Sequence, residues 1–193
     1  MEIIERIRRH PLFAEYYRKL EEIEKERIFC CHQMNHLLDV ARIAYIYNLE
    51  RQLNIRREVI YAAALLHDIG KYLQYTQAVP HEEASAEIAE KILREVSEEG
   101  RALREESGQC REHAATEKNT GQDREGVCPE LFSAKEQEDI LQAIRLHRRK
   151  TEHMPILAEI LYTADKQSRA CYACAAAAKC SWSEDKKNQE ITL

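Results

Sequence analysis

Apolar residues recur at helical spacing almost without interruption from Ile3 to about Val96, and the pattern breaks where Pro11, Asn54, Gly70 and Pro80 fall. Four or five helices fit between these breaks. His36, Val40, Ile43 and Tyr47 stand at i, i+4, i+7 and i+11, the spacing of one helix face, so that face is expected to be buried. Val59–Leu66 (VIYAAALL) is apolar on nearly every side, which places it at the centre of a fold and the residues after it at the core. Between about Ser97 and Pro129 the chain turns to Glu, Arg, Gln, Asn, Gly and Thr and reads as a polar insertion, either mobile or a lid. Periodicity resumes at Ser133, which with Glu136 has the pattern of a capping box. One helix is expected from there to about His147, and another from about Pro155, which suits a first-turn position, through Ala178. No internal repeat is evident.

Composition narrows the class. A chain of 193 residues makes one domain with room for an appendage. Five glycines, four prolines and 7% aromatics disfavour turn-rich barrels and sandwiches, so an all-α fold is expected. The 29 basic and 34 acidic residues leave a net charge of −5, a soluble surface with no global attraction for nucleic acid or an anionic membrane. The uncharged run Val59–Leu66 is far short of the ~18 apolar residues of a membrane span. Charges at Glu2, Glu5, Arg6, Arg8 and Arg9 interrupt any signal-peptide core, and a cytoplasmic location is expected. In a reducing compartment the seven cysteines are expected as thiols or metal ligands rather than disulfides.

The informative residues are histidines and aspartates. His67-Asp68 closes the most apolar helix and is followed at once by Ile69-Gly70-Lys71. A lone pair of this kind is readily explained as a capped core histidine beside a helix-end acceptor. Here the pair has company: His36 on a buried face, His81 at the start of a helix, His147 at the end of another and Asp165 within the last. A buried imidazole and carboxylate are costly unless compensated, and a divalent metal compensates both. Groups spread over five helices converge only in the middle of a bundle, where bundle metal sites are built.

These residues carry a resemblance to the HD-domain superfamily of metal-dependent phosphohydrolases. The matching strings are His36-Leu37-Leu38-Asp39-Val40-Ala41, Leu65-Leu66-His67-Asp68-Ile69-Gly70-Lys71 and Tyr162-Thr163-Ala164-Asp165-Lys166, spanning about Phe29 to Arg169. His81 in Pro80-His81-Glu82-Glu83-Ala84 and His147 in Arg145-Leu146-His147 look like the extra histidines of two-metal subgroups. Ile144–Asp165 is similar to the corresponding part of bacterial HD-type diadenosine tetraphosphate hydrolases. The resemblance implies an HD-domain helical bundle over 29–169 with the polar insertion at 97–129, N-terminal helices (1–28) packed on it, and a helix end with a cysteine cluster and tail at 170–193. It also implies one metal held by His36, His67, Asp68 and Asp165, and a second held by Asp68 as bridge with His81 and His147. The donor set suits Fe, Mn, Co, Ni or Zn, with Fe or Mn favoured, and the implied nucleophile is a metal-activated hydroxide.

Asp68 and Lys71 are the expected catalytic residues, with Lys71 offsetting charge on a phosphate; the plain alternative is a solvated lysine after a helix. Arg145, Arg148 and Arg149 flank His147, and at least one is expected to point into the cleft. His32, one turn before His36, is an alternative ligand, whereas His10, His113 and His153 read as surface histidines. Cys171-x2-Cys174-x5-Cys180-x-Trp182 could form a further zinc or iron–sulfur site with Cys30 or Cys31 as fourth ligand, or be a tightly packed Ala-rich helix. Cys110 and Cys128, in the insertion, suggest nothing firm. The expected function is hydrolysis of a phosphate ester or anhydride in a small phosphorylated molecule, a nucleotide. An HD-type di-iron oxygenase and a non-catalytic metal-binding regulatory module are the alternatives.

Overall fold

A computed structural model describes residues 1–107 and 131–191. Eight α-helices follow in order: α1 (Glu2–Arg9), α2 (Pro11–Ile23), α3 (Met34–Glu50), α4 (Arg57–Leu66), α5 (Lys71–Gln77), α6 (His81–Ser107), α7 (Ala134–Leu146) and α8 (Ile156–Gln167). There is no strand among the described residues. The breaks fall where the apolar pattern fails. Pro11 opens α2, Asn54 takes a left-handed backbone between α3 and α4, Gly70 precedes α5 and Pro80 precedes α6.

The centre is α4. Every residue from Val59 to Leu66 except Tyr61 is buried, and a fully buried Leu or Ile contributes about 1.5–3 kcal/mol relative to exposure. Helix α3 packs on α4 and α8, while α7 packs on α4, α6 and α8, so α4 is enclosed on several sides. The 48–55 connection is held by one side chain: Asn48 Nδ2 donates to Ile55 O at 3.0 Å, and Ile55 N–H donates back to Asn48 Oδ1 at 2.9 Å. Ser133 and Glu136 form the expected capping box on α7.

Three expectations are corrected. The polar insertion does not begin at Ser97, because α6 continues to Ser107. Ser97 is buried and its hydroxyl donates to Leu93 O at 2.7 Å, while buried Gly100 lies against Leu131, so this turn belongs to the bundle. The reading of 108–129 as a lid lies outside the described residues, as do Cys110, His113 and Cys128. The last helix does not reach Ala178: α8 stops at Gln167, and Cys171–Ala173, Ala177–Lys179 and Glu184–Lys186 are short 3-10 turns. Asn188 folds back to donate to Gln167 O at 2.9 Å and accepts from Tyr172 N–H at 3.1 Å, contacts that override the helix propensity of the Ala-rich run. His10 is not on the surface either. It is buried as the N-cap of α2, its Nδ1 accepting from Leu12 N–H at 3.3 Å and its Nε2 lying 3.1 Å from Glu95.

Gly70 is fixed by close approach rather than by its backbone angles. Its N–H donates to Ser85 Oγ at 2.9 Å, and a Cβ there would lie 2.4 Å from Ser85 N and 2.7 Å from the Ala84 carbonyl carbon. Backbone cannot yield as a flexible side chain does, so Gly70→Ala is expected to lower stability by about 1–3 kcal/mol in denaturant unfolding. A loss under about 0.5 kcal/mol would show that α5 and α6 separate freely at this point.

Candidate metal centre

The site is assembled at helix ends. His36 lies in the first turn of α3, His67 caps the C-terminus of α4 with Asp68 next to it, His81 begins α6, His147 caps the C-terminus of α7 and Asp165 lies in the last turn of α8. All six side chains are buried. Their ligand atoms form two sets, His36/His67/Asp68/Asp165 and Asp68/His81/His147, each with all members within 4.8 Å of one another, and Asp68 belongs to both. His36 Nε2 is 3.5 Å from Asp68 Oδ2 and 3.4 Å from Asp165 Oδ1. On the other side of the carboxylate, His81 Nε2 and His147 Nε2 lie 3.1 and 3.7 Å from Asp68 Oδ1.

The second nitrogen of each ring decides what the first can do. Nδ1 of His67 and of His147 donates to the carbonyl three residues upstream, Ala64 O at 2.7 Å and Ile144 O at 2.6 Å. His81 Nδ1 lies 2.5 Å from Gln74 Oε1. His36 Nδ1 lies 3.0 Å from Ser168 Oγ, whose own proton goes to Asp165 O at 2.9 Å, so the hydroxyl accepts from the ring. All four Nδ1 atoms therefore carry a proton, and all four Nε2 atoms point inward, where each ring in its neutral form offers a lone pair.

Two of these lone pairs, on His81 and His147, face each other at 3.1 Å. Buried His36 Nε2, His67 Nε2 and Asp68 Oδ1 have no hydrogen-bond partner, a desolvation cost of about 1–3 kcal/mol each. Imidazole nitrogen with carboxylate oxygen is a donor set for a first-row transition metal, and the unpartnered atoms are those that would bind it.

The charges agree with this reading. Burial alone would raise the Asp68 and Asp165 carboxyls, but His67 beside the first and Arg169 beside the second hold both well below the usual range. Burial alone would keep His67 neutral, yet the two carboxylates raise it to about 10. His81 goes the other way, held at about 4 by burial against the pull of Asp68. The carboxylates thus demand positive charge in their midst.

Some neighbours were not foreseen. Buried Arg169 donates to Asp165 Oδ1 at 2.6 Å and to Asp165 O at 3.2 Å, and Lys166 Nζ lies 2.5 Å from Asp165 Oδ2. The i, i+4 spacing of Asp165 and Arg169 was the available signal. His32 lies outside both sets, although its Nε2 is 3.8 Å from Asp68 Oδ2. Its Nδ1 pairs with buried Glu24 at 2.5 Å, and Glu24 also accepts from Tyr75 O–H at 2.8 Å; nothing in the local sequence announces that network.

Lys71 is partly buried, with Nζ 3.5 Å from His81 Nδ1, and lines a cavity of about 290 Å³ together with His32 and Arg169. None of Arg145, Arg148 and Arg149 lines that cavity. Arg148 reaches both oxygens of Glu82 at 3.0 and 2.9 Å, Arg145 lies 3.8 Å from Glu83, and Arg149 is exposed, as is His153.

With the ends of five helices converging on a buried His/Asp cluster, the architecture among the described residues is that of an all-α metal-binding domain. The family model for the HD domain matches residues 34–170, and the chain belongs to the HD-domain family. An uncharacterized protein of Clostridium beijerinckii (strain ATCC 51743 / NCIMB 8052) is 36% identical over 177 residues, covering 91% of this chain and 89% of its own. No solved structure matches the chain.

Because Ser168 supplies the acceptor that orients His36, Ser168→Ala is expected to weaken metal affinity about tenfold without unfolding the protein. Competition with a chelator measures this. An unchanged affinity would mean that the tautomer of His36 is set elsewhere.

Proposed function

We propose that this protein is a metal-dependent phosphohydrolase that cleaves a phosphate ester or anhydride in a small molecule, a nucleotide. The observation that carries the reading is the inward convergence of four Nε2 lone pairs on two buried carboxylates, with the cationic cavity of Lys71 and Arg169 beside them. His36, His67, Asp68 and Asp165 would hold one cation, and Asp68, His81 and His147 a second; iron or manganese suits these donors best. Divalent cations there supply Lewis acidity and lower the pKa of water.

The rest of the work falls to the chain itself. Lys71 stands at the cavity wall, where a phosphoryl oxygen can be bound and its growing charge offset. Arg169 and Lys166 fix Asp165 by contacts to its two oxygens, which keeps that carboxylate from turning toward the substrate side. Glu24 and Tyr75 hold His32 with its Nε2 toward Asp68, on the cavity side, where it can take up or give a proton. A cation-lined cavity favours phosphate chemistry over the oxygenase alternative, which needs no anion site. The resemblance to HD-type diadenosine tetraphosphate hydrolases makes dinucleoside polyphosphates the first substrates to try.

The test is turnover of metal-loaded protein on a panel of nucleoside mono-, di- and dinucleoside polyphosphates, carried out anaerobically. Phosphate release without oxygen is expected. Strict dependence on oxygen, or no release from any member, would reject the reading. Asp68→Ala is expected to lose both metal and turnover. Lys71→Ala should keep its metal while kcat falls about 100-fold. Equal metal loss in the two variants would make Lys71 a support of the fold instead.

A further inference from the structure

Four thiols take no part in the centre above. Cys30, on the segment ahead of α3, and Cys171, Cys174 and Cys180, on the turns beyond α8, line one cavity although they come from opposite ends of the chain. All four are free and partly buried.

Their backbone explains how they come to face one way. Cys174 N–H donates to Cys171 O at 3.2 Å, Ala177 N–H to Cys174 O at 3.1 Å and Cys180 N–H to Ala177 O at 3.2 Å. Three successive turns of three residues set positions 171, 174, 177 and 180 on one side, and thiols occupy all but the third. Arg27 Nε donates to Cys30 O at 3.0 Å and holds the segment that carries the fourth thiol. The neighbouring Cys31 does not line this cavity; its thiol lies 3.5 Å from Phe29 O and 3.8 Å from Glu24 O.

In a tetrahedral zinc site with Zn–S of ~2.3 Å the sulfurs lie ~3.8 Å apart. These thiols do not form a set with all members within 4.8 Å, as the His/Asp ligand atoms do. A polynuclear cluster binds its thiolates to different metal ions and so holds them farther apart. Arg27 and Lys187 also line the cavity, which suits a group made anionic by four thiolates.

We propose that Cys30, Cys171, Cys174 and Cys180 hold a polynuclear iron–sulfur cluster that fastens the C-terminal turns to the segment ahead of α3. Each thiol gives its proton to solvent as its sulfur binds iron. The four thiols line the same cavity as His32 and Lys71. The cluster takes no part in the chemical step at the His/Asp centre, although the tail it fastens carries Trp182, against which the two cations on Asp165 lie.

The experiment uses the full chain, purified anaerobically and incubated with iron and sulfide, and reads acid-labile sulfide, iron and visible charge-transfer absorption. Wild type, Cys31→Ser and Asp68→Ala should each hold about two or more sulfides per chain, as a Cys-ligated cluster does. Cys30→Ser and Cys174→Ser should lose at least fivefold in sulfide and absorption while keeping native far-UV circular dichroism. Should those variants fail to fold, alkylation of the wild type decides. Stripping metal should raise labelling of Cys30, Cys171, Cys174 and Cys180 at least fivefold and leave Cys31 unchanged. Zinc without sulfide, sulfide lost equally in Asp68→Ala or Cys31→Ser, or labelling that ignores metal removal would each overturn the proposal.

Discussion

Asp68 is the constraint on which the structure turns. A carboxylate 2% exposed, facing four imidazoles with inward lone pairs, is tolerable only where positive charge reaches it. The chain meets that demand by ending or starting five helices around one point. The apolar Val59–Leu66 stretch of α4 lies behind Asp68 and excludes water from that side, which strengthens every interaction the carboxylate makes. The two His/Asp sets are therefore one electrostatic unit joined by a single side chain.

Much of this unit was legible in the sequence, for a physical reason. The histidines and aspartates sit where apolar periodicity begins or ends, and polar residues at such places are costly without a partner. Their partners were less legible. Ser168, Gln74 and Glu24 are ordinary polar residues in sequence: the packing of α8 on α3 brings Ser168 to His36, that of α5 on α6 brings Gln74 to His81, and the α2–α3 connection folds Glu24 back onto His32. The continuation of α6 past Ser97 was hidden because its exposed face is so rich in Glu and Arg that the single buried stripe of Val96, Ser97 and Gly100 is diluted. The reverse error came at 168–178, where alanines suggested helix and the returning tail imposed turns.

The C-terminal tail completes one side of the site. Residues 171–187 close one side of the cavity and carry Trp182, over whose ring Lys166 and Arg169 lie at 5.3 and 5.0 Å from the centroid. The same two cations hold Asp165. Order in the tail and the position of a buried carboxylate are thus communicated through two side chains.

One further consequence comes from the way His67 and His147 are held. Each ring is tied by Nδ1 to the carbonyl three residues before it, within the final turn of its own helix. Neither imidazole can swing away while that turn is wound, and fraying of either helix end removes a donor. Release of an ion held there and local unwinding at these two helix termini would therefore be one equilibrium: occupancy would suppress end-fraying by mass action, and warming that loosens the last turns would lower retention before the bundle itself melts.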